Sequence, residues 1–93
     1  MPLQNPTPPH VFVALSSIDG IKVTISYTVV ASPGDLLSRA EVVWNDKGAI
    51  TENLPPYNGT AVHVYSVDGD YTITVNVYRG SNVAGSSSIQ IRV

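Results

Sequence analysis

The clearest pattern in the chain is an alternation of apolar and polar side chains. Ile21, Val23, Ile25, Tyr27 and Val29 are interleaved with Lys22, Thr24, Ser26 and Thr28. Side chains of a strand point alternately to opposite faces, so this spacing predicts a strand with one buried face. Shorter stretches repeat it. Val11, Val13 and Leu15 alternate with Phe12, Ala14 and Ser16, and Ala40, Val42 and Trp44 with Glu41, Val43 and Asn45. Tyr71, Ile73, Val75 and Val77 alternate with Thr72, Thr74, Asn76 and Tyr78, and Ile89, Ile91 and Val93 with Ser88, Gln90 and Arg92. A strand is also expected over Thr60–Tyr65, and a short edge strand over Ala49–Leu54.

Glycine, proline, asparagine and aspartate punctuate these runs. Turns or loops are expected at Ser17–Gly20, Ala31–Asp35, Asn45–Gly48, Pro55–Gly59, Val67–Asp70 and Arg79–Gly85. Leu36–Val43 has some helical character, but the β-branched and aromatic run Val42-Val43-Trp44 favours a strand. The expected fold class is all-β: an antiparallel, immunoglobulin-like β-sandwich of six or seven strands spanning residues 11–93. Residues 1–10 carry prolines at positions 2, 6, 8 and 9. Proline fixes φ and lacks an amide hydrogen, so this segment is expected to be an extended arm.

Composition narrows the function. The chain has 93 residues, enough for one domain, and only 13% are charged, with a net charge of −2. Ordinary domains carry roughly 25% charge, so much of this surface is Ser, Thr, Asn and Gly. Five scattered cations, Lys22, Arg39, Lys47, Arg79 and Arg92, make no basic patch, and nucleic acid is not an expected partner. No run approaches the roughly 20 apolar residues of a membrane helix, and a membrane is not an expected partner either. There is no cysteine, and the first apolar run, Val11–Leu15, is too short for the core of a secretion signal. Synthesis and release in the cytosol are therefore expected.

Two segments carry a family resemblance. His63-Val64-Tyr65-Ser66-Val67-Asp68-Gly69-Asp70-Tyr71-Thr72-Ile73-Thr74-Val75 resembles the end of a polycystic-kidney-disease (PKD) type domain. Val43-Trp44-Asn45-Asp46-Lys47-Gly48 resembles a degenerate copy of that family's Trp-Asp-Phe-Gly-Asp-Gly motif, lacking the phenylalanine and first glycine. The likeness implies a PKD-like sandwich with Trp44 buried. It also implies that Tyr71 forms a tyrosine corner, its hydroxyl bonding nearby backbone, and that Ile73 stands where related folds place a disulfide cysteine.

Candidate chemistry is sparse. Nucleophilic catalysis needs a nucleophile, a base and an orienting group, and no serine lies in a Gly-x-Ser-x-Gly turn. His63 reads as a half-buried strand residue. Asp68 and Asp70 flank Gly69 and read as turn residues, with a weak calcium site as the alternative. No catalytic residue, metal site or cofactor is expected.

PKD-like and immunoglobulin-like domains recur as cell-surface modules, as spacer or substrate-binding modules of secreted hydrolases, and as accessory domains of tailed-phage virions. A cysteine-free chain without a secretion signal is similar to the last. The expectation is a non-enzymatic binding or structural protein, a phage head decoration protein on the capsid surface, with the major capsid protein as partner and a homo-oligomer as a further possibility. The expected contact residues are Leu3, Pro6, Pro8, Pro9 and Phe12 in and beside the arm, with Tyr57 and Tyr78 as exposed aromatics. The alternative is an extracellular PKD-like module that binds carbohydrate, through those two tyrosines, or acts as a spacer.

Overall fold

The computed structural model describes residues 8–93. Leu3 and Pro6 lie outside the described residues. Seven strands follow in order: β1 (His10–Asp19), β2 (Lys22–Val30), β3 (Arg39–Val43), β4 (Ile50–Leu54), β5 (Asn58–Val64), β6 (Asp70–Arg79) and β7 (Asn82–Arg92). They form two antiparallel sheets, one ordered β1-β2-β5 and the other β4-β3-β6-β7. The molecule is therefore an all-β, seven-stranded sandwich. The fourth strand lies beside β3, so the first sheet keeps only three strands.

The alternation read from the sequence is the core. Val23, Ile25, Tyr27 and Val29 from β2 are buried against Ala40 and Val42 from β3, Ile73, Val75 and Val77 from β6, and Ile91 from β7. Trp44 and Tyr65, each just past the end of its strand, are fully buried among them. Every buried polar side-chain atom among the described residues has a hydrogen-bond partner, as a core this small requires.

Three expected boundaries are corrected. Ser17–Asp19 is strand: β1 passes a bulge between Leu15 and Ser17 and pairs on to Asp19↔Lys22. The bulge adds a residue and disturbs the alternation, which leaves Leu15 and Ile18 exposed. The β6–β7 connection is a two-residue turn, Gly80-Ser81, because Arg79 pairs with Asn82. Gly85 thus lies within β7, beside a second bulge. Asn58-Gly59 opens β5 instead of closing a loop, with Gly59 opposite Tyr27.

Both displaced glycines mark close approaches. A Cβ on Gly59 would stand 2.6 Å from Tyr27 Oη and 2.9 Å from its Cζ. That hydroxyl donates to the carbonyl of Pro55 at 2.6 Å, which fixes the ring over the glycine. A Cβ on Gly85 would stand 2.8 Å from the carbonyl oxygen of Pro9. Pro9 is buried there, so the sandwich begins earlier than the alternation alone implied. Gly59→Ala is expected to lower stability by about 1–3 kcal/mol, the usual range for overpacking, with the loss read from urea denaturation. Tyr27→Phe in the same background should restore little, because the ring, not only the hydroxyl, occupies the space.

Candidate binding surface

The strand order places the N-terminal segment, the β2–β3 loop, the β4–β5 loop and the β6–β7 turn at one end of the sandwich. His10 pairs with Val30, and Thr28 pairs with Asn58, which fixes the three β1-β2-β5 termini there. Arg39 pairs with Tyr78 on the other sheet at the same end. Phe12, Tyr57, Tyr78, Pro8 and Pro9 therefore ring a single end, although they are scattered in sequence.

The loop between β2 and β3 is built from local chemistry. In Ser32-Pro33-Gly34-Asp35, Asp35 N–H donates to the Ser32 carbonyl at 3.0 Å. Gly34 takes φ 83°, the arrangement of a type II turn with proline first and glycine second. Arg79 then forks onto the Asp35 carboxylate with bonds of 2.8 and 2.7 Å. Tyr57 donates its hydroxyl to the Asp35 carbonyl at 2.8 Å and accepts from Leu37 N–H at 3.1 Å. Ser38 N–H donates to the Tyr78 carbonyl at 2.8 Å. Leu37 is buried by this scaffold, and its neighbour Leu36 is held out at 81% exposure. With Val30, Phe12 and Val83, each more than half exposed, it gives this end an apolar rim.

The aromatic candidates divide. Phe12 is 58% exposed on the outer face of the three-stranded sheet. Tyr57 is partly exposed, but its hydroxyl is committed to the β2–β3 loop in both directions. Tyr78 is half-buried, its ring lies 3.7 Å beneath the Arg39 guanidinium, and its hydroxyl donates to Glu41 at 2.5 Å. Asn76 also donates to that carboxylate at 3.2 Å. Glu41 is thus buried on the outer face of a sheet, a position that the sequence pattern marked as solvent-facing. Pro8 is exposed and Pro9 buried. Leu36, Val30 and Val83 were missed, and the Leu36-Leu37 pair after a type II turn sequence was the available signal: adjacent residues of an extended chain cannot both face the core.

The opposite end holds the residues of the family resemblance. Trp44 Nε1 donates to Thr51 Oγ1 at 2.9 Å, and Tyr65 Oη donates to the Trp44 carbonyl at 2.9 Å. The His63 ring stacks on the indole at 5.1 Å between centroids. Its Nε2 lies 2.9 Å from Asp46 Oδ2, and Ser66 Oγ donates to Asp46 Oδ1 at 3.1 Å. The Tyr71 hydroxyl donates to the carbonyl of Val67, four residues upstream, which is the bond of a tyrosine corner. Ser66 therefore bonds the aspartate and not the imidazole. This is a packed polar clasp between the β3–β4 turn and the end of β5. Asp68 and Asp70 are both exposed, and no group of three His, Cys, Asp or Glu converges on a common point among the described residues.

Comparison with protein-family models, with curated proteins and with solved structures gave no match.

The clasp sets an acid limit. His63 and Ser66 bonding holds the Asp46 carboxyl below its ordinary 3.8, and Arg79 does the same for Asp35. A depressed carboxyl contributes stability that is complete above its unfolded pKa and is lost as pH falls through the folded value. Thermal stability is therefore expected to fall below pH 3.8, and Asp46→Asn combined with Asp35→Asn should flatten that limb in a melting series from pH 2 to 6. At the other extreme, burial pushes the Tyr65 phenol up to about 12. A raised group contributes stability that is complete below its unfolded value of 10 and is lost as pH rises towards the folded one. Tyr65→Phe should lessen the alkaline loss, measured by circular dichroism between pH 9 and 12, and leave the part carried by Tyr27, Tyr71 and Tyr78, whose phenols are also raised.

Proposed function

We propose that this chain is a non-enzymatic attachment module that docks through its arm-bearing end onto a protein surface, as a head decoration protein on a phage capsid. The observation that carries the reading is the apolar rim at that end. Leu36 is held out by the β2–β3 loop at 81% exposure, the most exposed large apolar side chain among the described residues, and Phe12, Val30 and Val83 are each more than half exposed at the same end. An apolar side chain that a structured loop holds in water is a candidate anchor for a partner. A surface with 13% charged residues also has few charges to desolvate on contact. The PKD-like features at the other end, and a core closed without cysteine, support placement on a particle assembled in the cytosol.

The carbohydrate alternative needs an aromatic ring face open to a sugar. Arg39 covers Tyr78, and Tyr57 serves the β2–β3 loop, so the capsid reading is preferred.

The test is co-sedimentation of the purified chain with heads assembled from the major capsid protein of the same genome. Leu36→Asp and Phe12→Asp are each expected to lower occupancy at least tenfold with unchanged circular dichroism. Full occupancy by both folded variants would overturn the docking end. Retention on chitin or cellulose that depends on Tyr57 would overturn the protein-surface reading in favour of a carbohydrate module.

A further inference from the structure

Sandwich edges expose unpaired main-chain groups, and most are blunted by bulges, charges or coverage. Three edges here follow that rule. β1 has the bulge between Leu15 and Ser17 and runs beside β7. β7 has the bulge opposite Val77/Tyr78. β4 has a register shift against β3, Asn53 at φ 60°, and Glu52 exposed beside it.

β5 is different. It pairs only with β2, in unbroken register from Asn58 to Val64. It contains no proline, lysine, arginine or acidic residue. Its one titratable side chain, His63, pairs opposite the buried Val23 and is engaged by Asp46. Tyr65 N–H donates to the Ile21 carbonyl and Val29 N–H to the Tyr57 carbonyl. Bonded pairs alternate along an antiparallel ladder, so the odd residues of β5 are committed to β2. Asn58, Thr60, Val62 and Val64 turn their N–H and C=O groups to the open edge. Immunoglobulin constant-type sheets place a fourth strand there, whereas β4 here belongs to the other sheet.

The space beside that edge has a floor. β1 runs beside β7, so the two sheets are flush on that side. Counted from there, β3 lies beneath β5, and the four-stranded sheet reaches one strand further, about 4.8 Å. The strand that projects is β4. Its inward residues, Thr51 and Leu54, pair beside the buried Val42 and Ala40 and are themselves half-buried. A single strand laid against β5 covers them. A second copy of β5 does not fit. An antiparallel β5–β5 pair requires a two-fold axis normal to the sheet, and each projecting β4 would then meet the other copy's β3.

We infer that this space takes one extended segment of the protein on which the module docks, paired antiparallel with β5. The inference rests on the docking reading for its partner. β5 starts at the docking end, where Asn58 pairs with Thr28, so the edge continues from that contact. Every strand pair of the molecule is antiparallel, and parallel pairing is weaker per residue. A segment of that direction runs toward the docking end and joins its own protein there. Its chemistry follows from the edge. Seven strand residues span roughly 20 Å, and no charge on β5 calls for a counter-charge. The segment is therefore short, uncharged and apolar at alternate, inward positions, which cover Leu54. The residues bonded to β5 are not proline. Main-chain bonds supply the affinity of such an added strand, and its alternate side chains supply the selectivity.

The experiment combines amide exchange on the full chain with sedimentation on heads assembled from the major capsid protein of the same genome. In the free chain, exchange is expected to be fast at Thr60, Val62 and Val64 and slow at Gly59, Ala61 and His63. On heads, the three fast amides are expected to slow at least tenfold. Val62→Pro deletes one donor of the open edge, and Val62→Thr keeps it. The first is expected to lower affinity for heads at least tenfold and the second less than twofold, with unchanged circular dichroism. If Val62→Pro loses the fold, the exchange result alone decides. Heads that bind the chain, and lose it on Leu36→Asp, while the three amides stay fast would overturn the added strand and leave the docking end standing. Heads that do not bind the chain overturn both. The same amides slowing in the chain alone, as its concentration rises to 1 mM, would give the edge to a second copy and overturn the inference.

Discussion

The structure depends on how the two sheets are joined without a covalent link. Tyr65, at the end of β5 on one sheet, donates its hydroxyl to the carbonyl of Trp44 at the end of β3 on the other, at 2.9 Å and fully buried. Around that bond the His63 ring lies on the indole and Tyr71 stacks on Tyr65 with centroids 3.9 Å apart. Removing a buried tryptophan or phenylalanine from a core costs about 3–5 kcal/mol, comparable to the roughly 2–4 kcal/mol of a disulfide. An interlocked aromatic group can therefore join two sheets about as firmly as a cross-link, and the fully buried Ile73 belongs to the same core. The bond from Tyr71 to the Val67 carbonyl fixes the approach to β6.

With one end locked, the other end is free to vary. Its loops are held by directional polar contacts: the Arg79 fork on Asp35 and the two-way use of the Tyr57 hydroxyl. Such contacts set a loop's shape while leaving its apolar side chains at the surface. Leu36 is exposed for this reason, and not because the loop is irregular. Aromatic packing thus holds one end, and directional polar contacts shape the loops of the other.

The edges extend this division. A small sandwich gains nothing in stability from an open strand edge and risks indiscriminate pairing. Bulges and an acidic residue guard three edges here, and the fourth is regular and uncharged.

By itself the sequence determined the strand set, the core and the burial of Trp44, because a period of two forces every second side chain to one face whatever the tertiary context. It also marked a turn within Ala31–Asp35, and the family resemblance marked the tyrosine corner; the geometry of both is local. Tertiary structure alone decided the sheet to which the fourth strand belongs, since Ile50–Leu54 carries no alternation that would select a neighbour. It alone placed Gly59 and Gly85 inside strands, where the reason for glycine is a ring or carbonyl from a distant segment. It buried Glu41 on an outer face through Tyr78, Asn76 and Arg39, and it gathered Phe12, Tyr57, Tyr78 and Leu36 at one end. Each of these outcomes turns on pairings between residues far apart in the chain, and a pattern read along the chain carries facing direction but not the identity of the neighbour.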